Sequence, residues 1–308
     1  MRKYIAILIV FVSVGLFQGC SNARKKSKPE AYFEWTDSYG RQVRLNEEPH
    51  RLVSLSPAIT EIFYLVDADD KLVGVSDFCT CPEETSTLPK LGGMQNINME
   101  ALLALRPDAV LIGSIVSQKD VQAIERMNIP VIAIKEEQNI EGMADMMRVI
   151  GRITGCEEQA DKAATDWSSK VSRLKAQNCR LGTDAPTVYY VVGFGDAGDF
   201  TAPRNSHISE IIALAGCRNV GDTLQGWNVS REFLFEADPD IIVVRKEDQQ
   251  AFCSQYPYTL LRAVKQHHVY PIESGWIDIV SPRNLQAVEL LQATRKSLEK
   301  EQKQKQEQ

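Results

Sequence analysis

Residues 154–181 read TGCEEQADKAATDWSSKVSRLKAQNCRL. Small or apolar residues recur at Ala160, Ala163, Ala164, Trp167, Val171 and Leu174, which is helical spacing with one narrow apolar face; Asn178 falls on the same stripe and breaks it. Thr154, with Glu157 three residues on, has the form of a capping box and predicts the start. Gly182 and Pro186 predict the stop. The helix so defined is roughly 23 residues, about 35 Å at 1.5 Å per residue. On either side of it, short apolar runs alternate with amphipathic stretches. The spacing predicts an α/β chain in two halves joined by one long helix on residues 154–182.

The first half, residues 32–153, opens with an alternating stretch around the turn Asp37-Ser-Tyr-Gly40, a hairpin signature. Strands are predicted at 51–55, 71–75, 108–112 and 130–134. Helices are predicted from Pro57 (capped by Ser56), from Asn98 to Leu105, at 117–127 and at 140–153. Met143, Met146 and Met147 in the last of these are read as core packing. The second half, residues 183–300, repeats the theme. Strands are expected at 187–192, 240–244 and 268–272, and helices at 206–214, 230–236 and 258–264. A closing helix is expected from Ser281-Pro282 to about Lys300. Residues 301–308 read as a flexible, frayed tail. Strands alternating with helices imply largely parallel sheets.

The halves also match in detail. Glu100 stands seven residues before Pro107-Asp108 and an apolar strand, and Glu232 stands seven before Pro239-Asp240 and another. Thr60-Glu61-Ile62 parallels Ser209-Glu210-Ile211. Two related lobes are expected.

The net charge is −6. Without residues 1–19 the chain keeps 33 basic and 41 acidic side chains, net −8, which argues against nucleic acid as a partner. Residues 1–19 form a basic leader and an apolar run too short to span a membrane in the mature protein. The run ends in Gly19-Cys20, the form of a lipoprotein processing site, so an exported chain anchored to lipid through Cys20 is expected. A secretory signal cut nearby is the alternative. Residues 20–31 read as a tether. The connectivity of Cys79, Cys81, Cys156, Cys179, Cys217 and Cys253 is not fixed by sequence.

No G-x-S-x-G elbow, H-E-x-x-H pair or P-loop is present, so no catalytic residue is assigned. Gly193-Phe-Gly195-Asp-Ala-Gly198 follows a strand, but no helix opens after it; a loop is predicted. His267 and His268 open a strand and point to opposite faces, so no metal centre or cofactor is expected. The informative residues are aromatics near strand ends: Phe78, Phe194, Phe200, Trp227 and Trp276. In α/β sheets ligands meet the carboxyl ends of strands, and such aromatics suit a large flat ligand.

Residues 51–61 (RLVSLSPAITE), Val73-Gly-Val-Ser76, residues 92–100 (GGMQNINME), Arg106-Pro-Asp108, Val229-Ser-Arg-Glu232 and Ser281-Pro-Arg283 resemble the helical-backbone class of ABC-importer substrate-binding lipoproteins. The resemblance spans about Glu48 to Ala293. It is nearest to the cobalamin-binding subgroup, with iron-siderophore and haem binders as relatives. It implies two Rossmann-like lobes bridged by one long rigid helix, with a ligand cleft between them. It implies a non-enzymatic, monomeric, lipid-anchored protein on the periplasmic face of a bacterial membrane, which carries cobalamin or another corrinoid to a permease and ATPase complex. Trp227, Trp276, Phe78 and Phe200 would cover the corrin, and Ser56 would meet its polar groups. Glu100 and Glu232 would dock onto the permease. Cobalamin binders tend to carry Trp before the Gly-Met, where this chain has Leu91 or Gly92. A ferric-siderophore or haem ligand is the alternative, with Arg204 and Arg283 meeting its anionic groups. An exported enzyme or sensor on the same fold is a third reading. Trp167 would be a packing residue, and the stiff helix would restrict lobe motion.

Overall fold

A computed structural model describes residues 31–93, 96–113, 116–135, 139–178, 182 and 184–307. Leader, processing site and Cys20 lie outside the described residues, as does Cys179. No described helix is long and apolar enough to cross a membrane.

The chain enters through a hairpin, β1 (Phe33–Thr36) with β2 (Gln42–Leu45). The first lobe follows with β3 (Leu52–Ser54), α1 (Pro57–Leu65), β4 (Leu72–Val75) and a short ribbon of β5 (Gly92–Gly93) and β6 (Asn96–Ile97). It continues through α2 (Met99–Ala104), β7 (Ala109–Ile112), α3 (Gln118–Arg126), β8 (Val131–Ala133) and α4 (Met143–Thr154). The connector α5 (Glu157–Asn178) leads to the second lobe: β9 (Thr187–Val191), β10 (Asp199–Phe200), α6 (His207–Leu214), β11 (Arg218–Asn219), β12 (Asn228–Val229) and α7 (Arg231–Ala237). The chain closes with β13 (Ile241–Arg245), α8 (Gln249–Ser254), α9 (Arg262–Lys265), β14 (Val269–Ile272), α10 (Ser274–Ile277) and α11 (Asn284–Gln306).

Each lobe holds one four-stranded parallel sheet, β4-β3-β7-β8 and β11-β9-β13-β14. Numbered within its own lobe, each has the strand order 2-1-3-4. The repeat read from sequence is therefore a repeat of topology.

Strand periodicity sorts the core. Leu52, Ala109, Leu111 and Ile132 point one way, and so do Val188, Tyr190, Ile241 and Val243 of the other sheet. All eight join a single cluster with α1, α4, α5, α6 and α11. The intervening residues, such as Val53, Val110 and Val131, pack outward against α2 and α3. Tyr189, Val191, Ile242 and Val244 do the same against α7, α8 and α9.

The connector buries Ala160, Ala164, Trp167, Val171 and Leu174, a stripe alternating by four and three residues. Trp167 Nε1 donates to the Ile140 carbonyl at 2.8 Å and the ring is buried, so it packs as expected; its truncation would cost roughly 3–5 kcal/mol. The predicted start of the helix is corrected. The Thr154 hydroxyl bonds back to the Ile150 and Gly151 carbonyls at 2.8 and 3.3 Å, so it belongs to α4 and caps nothing ahead of it. Gly155, at φ 73°, ends α4 in the left-handed region, and Glu157 and Glu158 open α5 at its positive end.

Two further expectations change at the C-terminus. The closing helix begins at Asn284, not after Ser281. The Ser281 hydroxyl accepts from Arg283 N and donates to the Gly275 carbonyl, while Asn284 Oδ1 accepts from Ser281 N. Nor is 301–306 a tail: α11 runs through it, and Glu301 pairs with His268 at 3.1 Å.

Candidate functional site

A cleft of about 480 Å³ opens between the carboxyl end of the first sheet and the segment after β14 of the second. That volume is within the usual range for small-molecule sites. The first lobe contributes Pro57, Asp77, Phe78 and Thr80; the second contributes residues from Glu273 to Arg283. Phe78 and Trp276 face it from opposite lobes.

Each aromatic is held by local structure. Asp77 N donates to the Gly92 carbonyl at 3.0 Å and Gly92 N to Asp77 Oδ1 at 3.1 Å, which ties the loop after β4 to the β5–β6 ribbon. Phe78 then lies over Gly93, where a β-carbon would stand 3.4 Å from the ring. More than half of the Phe78 surface is exposed, 56%. Trp276, just past the end of β14, is in the short helix α10. Asn284, fully buried, donates to the Trp276 and Ile279 carbonyls at 2.9 and 2.8 Å and fixes the turn between α10 and α11.

At the floor, Arg283 Nη2 donates to Glu61 Oε1 at 2.6 Å, a lobe-to-lobe ion pair. The guanidinium lies against Gly275, where a β-carbon would come within 2.5 Å of both terminal nitrogens. A side chain at residue 275 would have to displace the guanidinium. Burial pushes the Glu61 carboxyl above its ordinary value, against the pull of Arg283. Asp278 is fixed by Arg245 Nε at 2.8 Å and by the Tyr190 hydroxyl. Glu273 pairs with Lys246 at 3.0 Å, so among the described lining residues Asp77 alone carries a charge without an ion-pair partner, and the one cation, Arg283, is already paired.

The expected site residues divide. Phe78, Trp276 and Arg283 come together. Ser56 lies beside the cleft but is buried, its hydroxyl capping α1 at Ile59 N. Phe200 and Trp227 meet elsewhere, on the β10–β12 ribbon, where Phe200 pairs with Asn228 and Thr201 N donates to the Trp227 carbonyl at 2.9 Å. Phe194 turns inward against Phe252 and Tyr258. Arg204 is engaged with the Asp222 carbonyl at 2.7 Å, in a separate groove with Asn139 and Glu210. The glycine-rich stretch is a loop, as predicted, closed by a bridge between Gly193 and Phe200. A larger depression, about 670 Å³, lies beside α5 and Trp167; it brings together none of the expected ligand contacts.

Asp77, Glu273, Asp278 and Asn284 were not singled out by sequence reading. Glu61 was visible only through the repeat and as the end of the 51–61 stretch, with no role assigned to it. Its counterpart Glu210 also reaches across, accepting from Ile140 N at 2.8 Å and pairing with Lys175 of the connector at 3.1 Å.

Two lobes of identical strand order, a helical connector and a cleft lined from both sides define a two-lobed binding protein. The chain belongs to the periplasmic binding protein family, whose profile matches residues 52–274. It is 26% identical over 288 residues to the uncharacterized ABC transporter substrate-binding lipoprotein YvrC of Bacillus subtilis (strain 168), covering 90% of this chain and 91% of that one. It is 27% identical over 246 residues to the vitamin B12-binding protein of Pectobacterium carotovorum, covering 78% and 86%. The fold is shared with the periplasmic heme-binding protein RhuT from Roseiflexus sp. RS-1, at a TM-score of 0.70 and 21% identity, covering 81% and 98%.

Proposed function

We propose that this chain is the substrate-binding component of an ABC importer, and that it binds cobalamin or a related corrinoid between its lobes. The observation that carries the reading is the cleft lining. Phe78 and Trp276 offer apolar faces from the two lobes, while among the described lining residues the charges are largely paired off, Arg283 with Glu61, Asp278 with Arg245 and Glu273 with Lys246, and Asp77 is left as the one carboxyl without a cation. A large neutral ring edged with amide N–H groups matches that lining. A ferric siderophore or haem, with anionic groups, would find no unpaired cation among the described lining residues. Haem iron also takes an axial His, Tyr, Cys or Met, and none is among the described lining residues. The vitamin B12-binding relative points the same way.

The importer role rests on family membership and on the ABC transporter relative. Glu100 and Glu232 are the proposed contacts with the permease. Both are exposed and stand in the first turn of α2 and α7, equivalent helices on the outer faces of the two sheets. The backbone N–H of Glu232 and the Ser230 hydroxyl hold the Glu232 carboxyl below the ordinary value, so it is charged at neutral pH. Anchorage through Cys20 on the periplasmic face of the membrane and a non-enzymatic role complete the proposal.

Calorimetric titration of the purified protein with cyanocobalamin, haemin and ferric siderophores tests it. Heat with cyanocobalamin is expected, and Trp276→Ala or Phe78→Ala should weaken it by roughly tenfold or more. Heat with haemin or a siderophore alone transfers the assignment to that ligand class. Absence of heat with every corrinoid ends the corrinoid reading.

A further inference from the structure

Glu61 does not line the cleft; its side chain is 5% exposed. Arg283 does line it, at 20%. Their contact joins α1 of one lobe to the start of α11 of the other, 222 residues apart. The guanidinium occupies the space that a side chain on residue 275 would take, so Gly275 makes room for the pair. A paired guanidinium and carboxylate present almost no net charge to a ligand a few ångströms away, whereas a lone guanidinium would capture a carboxylate. The pair is also an imperfect stabiliser. Glu61 Oε2 and Arg283 Nε are buried without a hydrogen-bond partner among the described residues, and ion pairs in such settings contribute little net stability. The repeat sharpens the contrast. Glu210, the equivalent glutamate, spends its charge on Lys175 of the connector, outside the cleft.

We infer that Glu61 is a specificity-determining residue for this site: by neutralising Arg283 from behind the cleft wall, it makes the cleft reject ligands that carry carboxylates and accept those that carry amides. The inference rests on the corrinoid reading above and names the charge class within it. Glu61 acts through Arg283 and touches no ligand itself.

The test uses the full chain and two probes that differ in one group, cyanocobalamin and a cyanocobalamin monocarboxylic acid in which one side-chain amide has been hydrolysed. Wild type should prefer the amide form at least tenfold. Glu61→Gln keeps an acceptor for Arg283 but removes the charge, and should reduce that preference about tenfold. Glu210→Gln, the equivalent change away from the cleft, should leave the preference as it was. The double variant Glu61→Gln, Arg283→Gln removes both charges and should show the wild-type ratio; it decides the matter if the single variant does not fold. Failure of wild type to bind cyanocobalamin would sink the corrinoid reading. Binding of cyanocobalamin with an unchanged ratio in Glu61→Gln, or a double variant that rejects the acid tenfold more strongly than wild type, would overturn this inference alone.

Discussion

A β-carbon placed on Gly151 would stand 2.3 Å from that of Ala160. The helices α4 and α5 cross at that point, closer than any side chain at residue 151 allows. Helix propensity alone favours Gly151→Ala by about 1 kcal/mol. Overpacking costs roughly 1–3 kcal/mol, and besides the Ala160 β-carbon the added methyl would meet the backbone of Cys156 and Glu157 at 3.2 and 3.4 Å. The expected sign is therefore destabilisation, read as a lower urea midpoint, with recovery when Ala160→Gly is added. A Gly151→Ala variant more stable than wild type would show that the helices separate freely.

The docking proposal makes a different demand. Lysine at both Glu100 and Glu232 should abolish uptake by the intact transporter and leave the ligand titration unchanged. Both side chains are exposed, so folding should be unaffected. Uptake that survives the double reversal would remove these residues from the permease interface.

Acid sensitivity should centre on Asp37. Burial alone would raise its carboxyl, but the Arg41 guanidinium and the backbone N–H groups of Arg41 and Tyr39 outweigh that and hold it below the ordinary 3.8. The unfolded chain thus takes up this proton at higher pH than the folded one. The contribution is fully present above the ordinary value and is lost as pH falls through the lowered one. Asp37→Asn should weaken the protein at neutral pH and flatten its stability curve as pH falls below the ordinary carboxyl value of 3.8. An acid limb identical to that of wild type would contradict the assignment.

Ligand should move the lobes little. Inner faces of both sheets share a core with α5, and hinge closure would shear that packing. Scattering profiles with and without ligand are expected to differ by a rotation of only a few degrees, on the order of what a bending helix absorbs. A large drop in radius of gyration would disprove the rigid connector.

Sequence patterning carried the strands, their parallel arrangement and the repeat, because those rest on local apolar periodicity. It failed where one hydroxyl had two uses. Thr154 and Ser281 both look like caps, yet Thr154 bonds back to the last turn of the helix before it and Ser281 donates to the Gly275 carbonyl six residues upstream. Ser56, in the same Ser-Pro setting as Ser281, does cap its helix. The lining of the cleft was half legible. Phe78 and Trp276, singled out by residue type and strand-end position, and Arg283, singled out through the family resemblance, come together on it. Arg283 was then expected to await an anion, because nothing in local spacing announces a partner as distant in sequence as Glu61. Phe200 and Trp227 were placed with the other aromatics because two-residue strands such as β10 and β12 leave no periodic signal.

Since Leu52, Ile132, Val188 and Ile241 sit in one continuous core, neither half owns its inner surface. A chain made from its N-terminus can lay α1 and α4 on the first sheet early, but the outer side of that layer meets α5 and the second lobe only once they exist. A cut through the connector would leave two fragments that each expose part of a shared core.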